Sequence, residues 1–269
     1  MPELPDVELY KRHLDATCLG RAIRNVVVGD ARILADVSPA ELARRLEGAR
    51  IIASRRHGKH LLVDLGPQGW LTLHFGMTGS LKHFTNGEQD PPYDRVRFDF
   101  ADGHHLAYID VRLFGRVGLT PDADAFIAVE HLGPDALDPR VDLARFEQAL
   151  AGRKRDVKSL LMDQEVVAGI GNIYSDEILF QARINPRTRC ERLDTSARQR
   201  LFEQIKEVLE TAIKSGAGAE RLVDRLPASF LIAHREKHGR CPRCGGEIAS
   251  AKFSGRTAYF CPRCQPEPA

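Results

Sequence analysis

The sequence predicts an α+β fold with a leading helix, a β-rich N-terminal half, a helical C-terminal half and a cysteine-rich end. Three observations predict it. The chain has 269 residues, 43% of them hydrophobic and 28% charged, which is the composition of a globular protein and a length that favours two domains. Short β-like runs, separated by Gly, Asp and Pro, fill the first half. After Thr120 and Pro121 the pattern changes to helical periodicity with capping residues.

The N-terminal half is predicted to begin with a helix over residues 7–19. Pro2 and Pro5 are compatible with a helix start, because the first turn needs no amide donors. A second helix is predicted over 38–46, with Ser38 as its N-cap. The predicted strands are 23–28, 51–56, 60–65, 70–75, 96–100 and 105–109. Short strands at this spacing favour a β-sandwich or a barrel.

The C-terminal half is predicted to contain helices over 142–150, 157–161, 175–181 and 196–215. Gly169–Asn172 is predicted to form a tight turn between two of them, and an acidic, proline-containing linker is predicted within 120–140. The predicted domains are an N-terminal β-sandwich domain (1–125), a helical domain (126–233) and a terminal module (234–269).

Composition and the N-terminus indicate a cytoplasmic protein. The longest apolar stretches, such as 51–53 and 70–73, fall far short of the roughly 18 to 20 residues that span a bilayer. Residues 1–8 contain two prolines and three acids, where a secretory signal needs a basic start and an apolar run.

The charge is unevenly distributed along the chain. The net charge is +2, but residues 234–264 carry seven Lys or Arg against two acids, a local +5, which leaves −3 for the rest. A basic tip on a slightly acidic body is typical of a protein that binds a polyanion. A solvated basic face explains the charge equally well.

Four of the six cysteines fall near the C-terminus as two C-x-x-C pairs separated by 16 residues: Cys241, Cys244, Cys261 and Cys264. This spacing is typical of a four-thiolate zinc site. The alternative, two disulfides, requires an oxidising compartment that the N-terminus does not indicate. We therefore predict a zinc ribbon with one structural zinc ion per chain, which holds shape without taking part in chemistry.

The residues at the N-terminus could support covalent catalysis. Removal of Met1 would give Pro2 a free secondary amine, which titrates near pH ~8 and can attack an electrophilic carbon. Glu3 and Asp6 place two carboxylates nearby, as a proton-transferring site needs. Each feature has a simpler explanation: Pro2 could merely begin a helix, and acids accumulate at helix starts because of the macrodipole.

Several motifs together resemble the bacterial formamidopyrimidine-DNA glycosylase and endonuclease VIII family. They occur in order from residue 1 to 265: Met1–Glu8, Gly58–Lys59, His74–Gly79, Asp110–Gly115, Leu161–Gln164, Gly169–Tyr174 and the zinc ribbon. Leu4, where endonuclease VIII members commonly have Gly, favours the formamidopyrimidine branch.

The resemblance implies a bifunctional DNA glycosylase and abasic-site lyase that acts as a monomer on damaged double-stranded DNA, with no nucleotide cofactor. It implies a catalytic leading helix and a helix–two-turn–helix motif in the helical domain. Catalytic roles are implied for Pro2 as nucleophile, Glu3 as acid, Asp6, Lys59 at a phosphate beside the lesion, and Arg256 at the phosphate of the everted nucleotide. DNA contacts are implied for His74, Met77, Arg112, Phe114, Arg153 and Asn172. Among these, Met77, Arg112 and Phe114 fill the space left by the everted nucleotide, at an unstacking cost of a few kcal/mol.

Simpler explanations stand beside these roles: Lys59 and Arg256 as solvated charges, Met77 and Phe114 as core residues, and Asn172 as part of a chain reversal. The sequence also departs from the family. Asp6 replaces the usual Glu, Leu113 replaces a usual Arg, and the segment between Gly216 and His234 looks too short for the loop that covers an everted base. The alternative function is therefore a non-catalytic or altered-specificity DNA-binding protein. A zinc-dependent hydrolase is disfavoured, because the zinc site has no open position.

Overall fold

The computed structural model describes residues 1–218 and 222–267. Residues 219–221, part of the short segment after Gly216, lie outside the described residues. The chain forms two compact units. The first contains Met1–Pro2 and Asp6–Glu130, and the second contains Glu3–Pro5 and the chain from His131 onward. In the described part of the chain, no helix is both long enough and apolar enough to cross a membrane.

The first unit is a β-sandwich preceded by helix α1 (Leu4–Cys18), whose first two residues belong to the second unit. One sheet is antiparallel with strand order β1-β7-β8-β6. Its strands are β1 (Ile23–Val28), β6 (Ser80–Thr85), β7 (Asp94–Phe100) and β8 (His104–Ile109). The other has the order β2-β9-β5-β4-β3, and only its β2–β9 pair is parallel. Its strands are β2 (Leu34–Ala35), β3 (Ala53–His57), β4 (His60–Asp64), β5 (Trp70–His74) and β9 (Arg116–Thr120).

A single apolar cluster joins the two sheets. It includes Phe98 and Leu106 from one sheet and Leu61, Leu71 and Val117 from the other, all at most 2% exposed. Two sheets that share one core are a sandwich, so the predicted sandwich is confirmed and the barrel is wrong.

Helix α2 (Pro39–Leu46) lies as predicted, with the Ser38 hydroxyl accepting the Glu41 amide. The chain passes from the first unit to the second between Glu130 and His131, within the range 120–140 in which the linker is predicted. Helix α3 (Ala123–Val129), which is not predicted, also lies within that range, and the Asp122 carboxyl caps it by accepting the Ala125 amide.

The second unit contains helices α4 (Leu143–Leu150), α5 (Val157–Leu161), α6 (Asn172–Ala182) and α7 (Thr195–Ser215). Aspartates cap α4, α5 and α7 at the N-terminus, as the capping pattern predicts: Asp142, Asp156 and Asp194. Helix α6 begins three residues earlier than predicted. Asn172 is therefore the first residue of a helix and not part of the preceding turn.

The ribbon follows as a hairpin of β10 (Ala249–Phe253) and β11 (Arg256–Phe260), paired from Ala249–Phe260 to Phe253–Arg256. Ser254 and Gly255 form its two-residue turn with φ of 46° and 77°, as a type I′ turn requires.

Candidate functional site

Glu3 is buried at the amino end of α6. It is 1% exposed, and its carboxyl oxygens accept the amides of Gly171 at 2.7 Å, Ile173 at 2.8 Å and Tyr174 at 3.2 Å. The first amides of a helix have no acceptor inside the helix, so Glu3 supplies what a local N-cap side chain would supply. Gly171, the N-cap residue, has no side chain to do this. Pro2 directly precedes Glu3, is partly exposed, and lies outside α1.

Two glycines make room for the N-terminal residues. A Cβ on Gly171 would lie 2.4 Å from Cδ of Glu3, and one on Gly169 would lie 2.5 Å from Cδ1 of Leu4. The Leu4 amide donates to the Gly169 carbonyl. Gln164 shapes this loop, because its side chain accepts the Gly169 amide and donates to the Ile170 carbonyl. Residues 169–174 thus form the surface against which residues 3 and 4 pack and to which they hydrogen-bond.

A buried ionic network supports the amino end of α6. Lys158 is 0% exposed, and its Nζ donates to the Asn172 carbonyl, the Ser175 hydroxyl and Oδ1 of Asp176 at 2.7 Å. Oδ2 of Asp176 accepts two bonds from the guanidinium of Arg235. Burial lowers the pKa of Lys158, and Asp176 opposes that change. Every charge in this network has a partner, as buried charges require.

The ribbon is attached to the same helix. The Tyr259 amide donates to Oδ2 of Asp176, and the side chain of Asn172 donates to the Thr257 carbonyl at 3.0 Å. Arg256, next to Thr257, is exposed at the start of β11, and its guanidinium contacts the sulfur of Met162. The hydrogen bond from the Asn172 side chain to the Thr257 carbonyl therefore holds Asn172 close to Arg256. Arg153 is also exposed in this unit, and its Nε donates to the Ala149 carbonyl at the end of α4.

The four ribbon cysteines form the metal centre. Their sulfur atoms all lie within 4.8 Å of one another, with Cys241–Cys264 at 3.8 Å and Cys244–Cys261 at 3.6 Å. Four sulfurs at about 2.3 Å from a tetrahedral zinc ion lie about 3.8 Å apart, so this arrangement fits zinc and leaves no ligand position open. None of the four is in a disulfide, since these separations far exceed the ~2.05 Å of a disulfide bond.

In the first unit, two loops present exposed side chains. The loop after β5 carries Met77, which is 37% exposed, and the loop after β8 carries Phe114, which is 51% exposed. Neither is a core residue. The guanidinium of Arg112 lies 5.0 Å above the Phe114 ring, a cation–π contact. Gly76 has φ of 53°, and a Cβ there would lie 2.4 Å from the carbonyl carbon of Phe114, so the loops touch through their backbones.

Lys59 lies in the turn of the β3–β4 hairpin and is only 7% exposed, so it is not a solvated charge. Two nearby histidines are uncharged at neutral pH. Burial lowers the pKa of His60 to about 3 and that of His74 to about 4, and Lys59 contributes to both shifts. The His74 ring accepts the Gly76 amide at 3.3 Å, so His74 shapes the loop that carries Met77. Asp6 lies in the first turn of α1 and is 6% exposed.

The predicted residues therefore form two groups, each within one unit. Glu3, Asn172 and Arg256 surround the amino end of α6 and the ribbon hairpin, and Met77, Arg112 and Phe114 share two touching loops. No pattern in the sequence indicates a role for Asp110 or Lys158. Asp110 lies inside a quoted motif, so the resemblance could have drawn attention to it. Lys158 gave no local signal, because its partners lie 14 to 18 residues away.

Comparisons with known proteins agree along the whole chain. Residues 1–117 match the model of the formamidopyrimidine-DNA glycosylase N-terminal domain, residues 132–224 match the model of its H2TH domain, and residues 239–266 match a zinc finger found in FPG and IleRS. A formamidopyrimidine-DNA glycosylase from Acaryochloris marina is 37% identical, covering 99% of this chain and 100% of that protein. One from Pelobacter propionicus is 36% identical, covering 98% and 100%.

Solved structures give the same result. A Lactococcus lactis Fpg in complex with DNA containing an abasic site has a TM-score of 0.88 at 30% identity, covering 98% of this chain and 100% of that one. A MutM in complex with DNA containing carbocyclic 8-oxo-G has a TM-score of 0.88 at 31% identity, covering 99% and 100%. The predicted fold class and the structural zinc are confirmed. The chain belongs to the formamidopyrimidine-DNA glycosylase family.

Proposed function

We propose that this protein removes oxidised bases from damaged double-stranded DNA and cleaves the resulting abasic site, acting as a monomer. Its relatives carry the name formamidopyrimidine-DNA glycosylase over their full length, and similar structures hold DNA with an abasic site or an oxidised guanine analogue. The observation that carries the proposal is the set of three hydrogen bonds that Glu3 accepts from the amides of Gly171, Ile173 and Tyr174, because they fix the residue next to the nucleophile.

In the proposed reaction, removal of Met1 exposes the secondary amine of Pro2. Its nitrogen forms a bond to C1′ of the damaged nucleotide, the bond from C1′ to the base breaks, and the base leaves with a proton. Glu3 assists opening of the sugar ring as the iminium forms. The iminium makes the C2′ proton acidic, so one elimination expels the 3′ phosphate and a second expels the 5′ phosphate. No oxidant or reductant is needed.

The remaining residues are proposed to bind DNA. Lys59, Asn172 and Arg256 contact phosphates. Arg153 and His74 make further contacts to the DNA. Met77, Arg112 and Phe114 occupy the space left by the everted nucleotide; their exposure supports this role. Asp6 is proposed to aid base loss. The three functional parts are proposed to be 1–125, 126–233 and 234–269. Zinc, held by the four cysteines, supplies structural closure of the ribbon.

Borohydride trapping tests the proposal, because it reduces an iminium to a stable covalent adduct. The purified protein would be incubated with duplexes that carry an abasic site, 8-oxoguanine, formamidopyrimidine or an oxidised pyrimidine. We expect an adduct on the abasic duplex that Pro2→Gly abolishes or strongly weakens. The intact mass of the protein, measured in parallel, would show whether Met1 is absent.

Two outcomes would decide against the proposal. Retention of Met1, or salt-sensitive DNA binding with no adduct on any duplex, would support a non-catalytic DNA-binding protein. The order of trapping among the base lesions addresses specificity. The short segment between Gly216 and His234 leads us to propose a preference shifted away from 8-oxoguanine. Cleavage of 8-oxoguanine as fast as formamidopyrimidine would contradict that part.

A further inference from the structure

Asp110 connects the loops that carry the three void-filling residues, Met77, Arg112 and Phe114. It follows β8 directly and is 0% exposed. Its Oδ2 accepts the Gly115 amide at 2.8 Å, and its Oδ1 accepts the Arg112 amide at 3.1 Å. These two bonds close the loop around Arg112 and Phe114 from inside.

Thr78 extends the connection to the loop of Met77. Its hydroxyl donates to Oδ1 of Asp110 and accepts the Arg112 amide at 3.1 Å. Met77 is next to Thr78 in the chain, so this hydroxyl joins the loop after β5 to the loop after β8. The close approach of the two backbones at Gly76 agrees with a fixed arrangement.

A third segment is tied to the same residue. The Asp110 amide donates to the Tyr93 carbonyl at 3.2 Å, and the Arg95 guanidinium donates to the Asp110 carbonyl at 2.7 Å. Arg95 also lies over the ring of Tyr93, which is 53% exposed and has φ of 62°. A positive φ is unfavourable for a residue with a side chain, so this conformation needs support from its surroundings. Asp110 and Arg95 provide it.

We propose that Asp110, through Thr78, is the positioning residue for nucleotide eversion: it fixes the void-filling residues before DNA arrives. The inference rests on the proposed function. Exposed side chains have no packing on the solvent side to hold them, so their backbone must be fixed by hydrogen bonds to buried groups. A loop whose backbone is already ordered loses less conformational entropy when its side chains enter the duplex. Prior positioning of the void-filling residues should speed eversion most for a nucleotide whose base must be unstacked. It should have less effect on an abasic nucleotide, which has no base.

The test compares two substrates in single-turnover experiments with Asp110→Asn. In either orientation the new amide group faces the Gly115 amide or the Arg112 amide, so two donors oppose each other. We expect the rate constant on a formamidopyrimidine duplex to fall about tenfold or more, and that on an abasic duplex to fall less than about threefold. A 2-aminopurine base placed beside the lesion reports eversion by a rise in fluorescence. In the Asp110→Asn variant the rate of this rise should fall by the same factor as the rate of base excision.

Thr78 provides a second pair of variants. Thr78→Val removes the hydroxyl at nearly constant volume and should give the same selective effect, about threefold or more. Thr78→Ser keeps the hydroxyl and should restore the rate. Thr85→Val is the matched control, because the hydroxyl of Thr85, the last residue of β6, donates to Glu88 in the β6–β7 connection. It should change neither rate.

The outcomes separate this inference from the proposed function. No adduct and no cleavage by the unmodified protein would defeat the proposed function. If that protein is active, an equal fall on both substrates, or no fall, would overturn the role of Asp110. Should Asp110→Asn fail to fold, as judged by circular dichroism and thermal melting, the Thr78 series decides by the same comparison.

Discussion

Glu3 shows how one side chain can be both a structural and a chemical residue. Its two oxygens accept three amides in a site that is almost fully buried, and those amides belong to Gly171 and to the first turn of α6, 168 to 171 residues away in sequence. A buried amide that loses its acceptor is costly, so the position tolerates few other groups. The same contacts hold the backbone beside Pro2.

We therefore expect Glu3→Gln to lower both stability and activity. The amide group of glutamine would face a main-chain N–H, which costs about 1–3 kcal/mol in the free energy of unfolding. Loss of the acidic group should lower base excision about a hundredfold or more. Urea unfolding and single-turnover kinetics measure the two effects. Glu165→Gln, at an exposed position in the loop before α6, is the control and should change neither. An active, fully stable Glu3→Gln variant would contradict this role.

At the scale of elements, α6 is unusual because it buries polar residues along its length. Glu177 is 0% exposed, and its carboxyl accepts the Gln181 side chain and the Ile232 amide. No ion pair to Glu177 occurs among the described residues. Burial raises its pKa from 4.5 to about 8. Glu177 is therefore a neutral group in the folded chain. Its hydrogen bond to the Ile232 amide joins α6 to the segment that leads to the ribbon.

This predicts a specific dependence of stability on pH. Between pH 4.5 and about 8 the folded chain keeps a proton on Glu177 that the unfolded chain has released. Unfolding releases that proton, so the stability contributed by Glu177 falls as pH rises through this window. Glu177→Gln cannot ionise. We expect it to gain stability relative to the unmodified protein by up to about 1.4 kcal/mol per pH unit.

Urea unfolding of both proteins from pH 5 to pH 8.5 measures this difference. The exposed Glu207→Gln, on α7, is the control and should follow the unmodified protein at every pH. A stability difference between Glu177→Gln and the unmodified protein that does not vary with pH would show that Glu177 is ionised in the folded state.

The ribbon is an element whose fold depends on its metal. Removal of zinc should release the hairpin, and with it the contacts that Thr257 and Tyr259 make to α6. We expect a chelator to expose the amides of β10 and β11 to hydrogen exchange and to weaken binding to an abasic duplex about tenfold or more. Metal analysis should give one zinc per chain, and Cys190→Ala, outside the cluster, should retain it. A metal-free protein with protected ribbon amides would contradict this.

Most elements could be predicted from the sequence, and the exceptions have physical causes. Strand β9 was missed because Gly118 interrupts its apolar pattern; a Cβ there would lie 3.0 Å from the Thr72 hydroxyl on the neighbouring strand. Strand β6 was missed because Lys82 and His83 break the alternation. The ribbon was predictable, since few structures other than a zinc site are compatible with two C-x-x-C pairs at this spacing. The role of Asp110 was not, because contacts between loops leave no periodic pattern.

At the scale of the molecule, the uneven charge predicts how DNA binding responds to salt. The net charge is only +2, but the ribbon region carries +5, so phosphate contacts should be concentrated there. Each neutralised phosphate releases counterions, and log K falls with log salt by about 0.9 per contact. We expect Arg256→Ala to weaken binding to an abasic duplex and to reduce this slope by about 1, measured by fluorescence anisotropy across a salt series.

Arg140→Ala is the control: Arg140 is an exposed arginine of the same unit that pairs with Asp138 in its own loop. Its slope should equal that of the unmodified protein. An unchanged slope for Arg256→Ala, or an equal reduction for both variants, would mean that the ribbon charge acts through the general field and that Arg256 holds no phosphate.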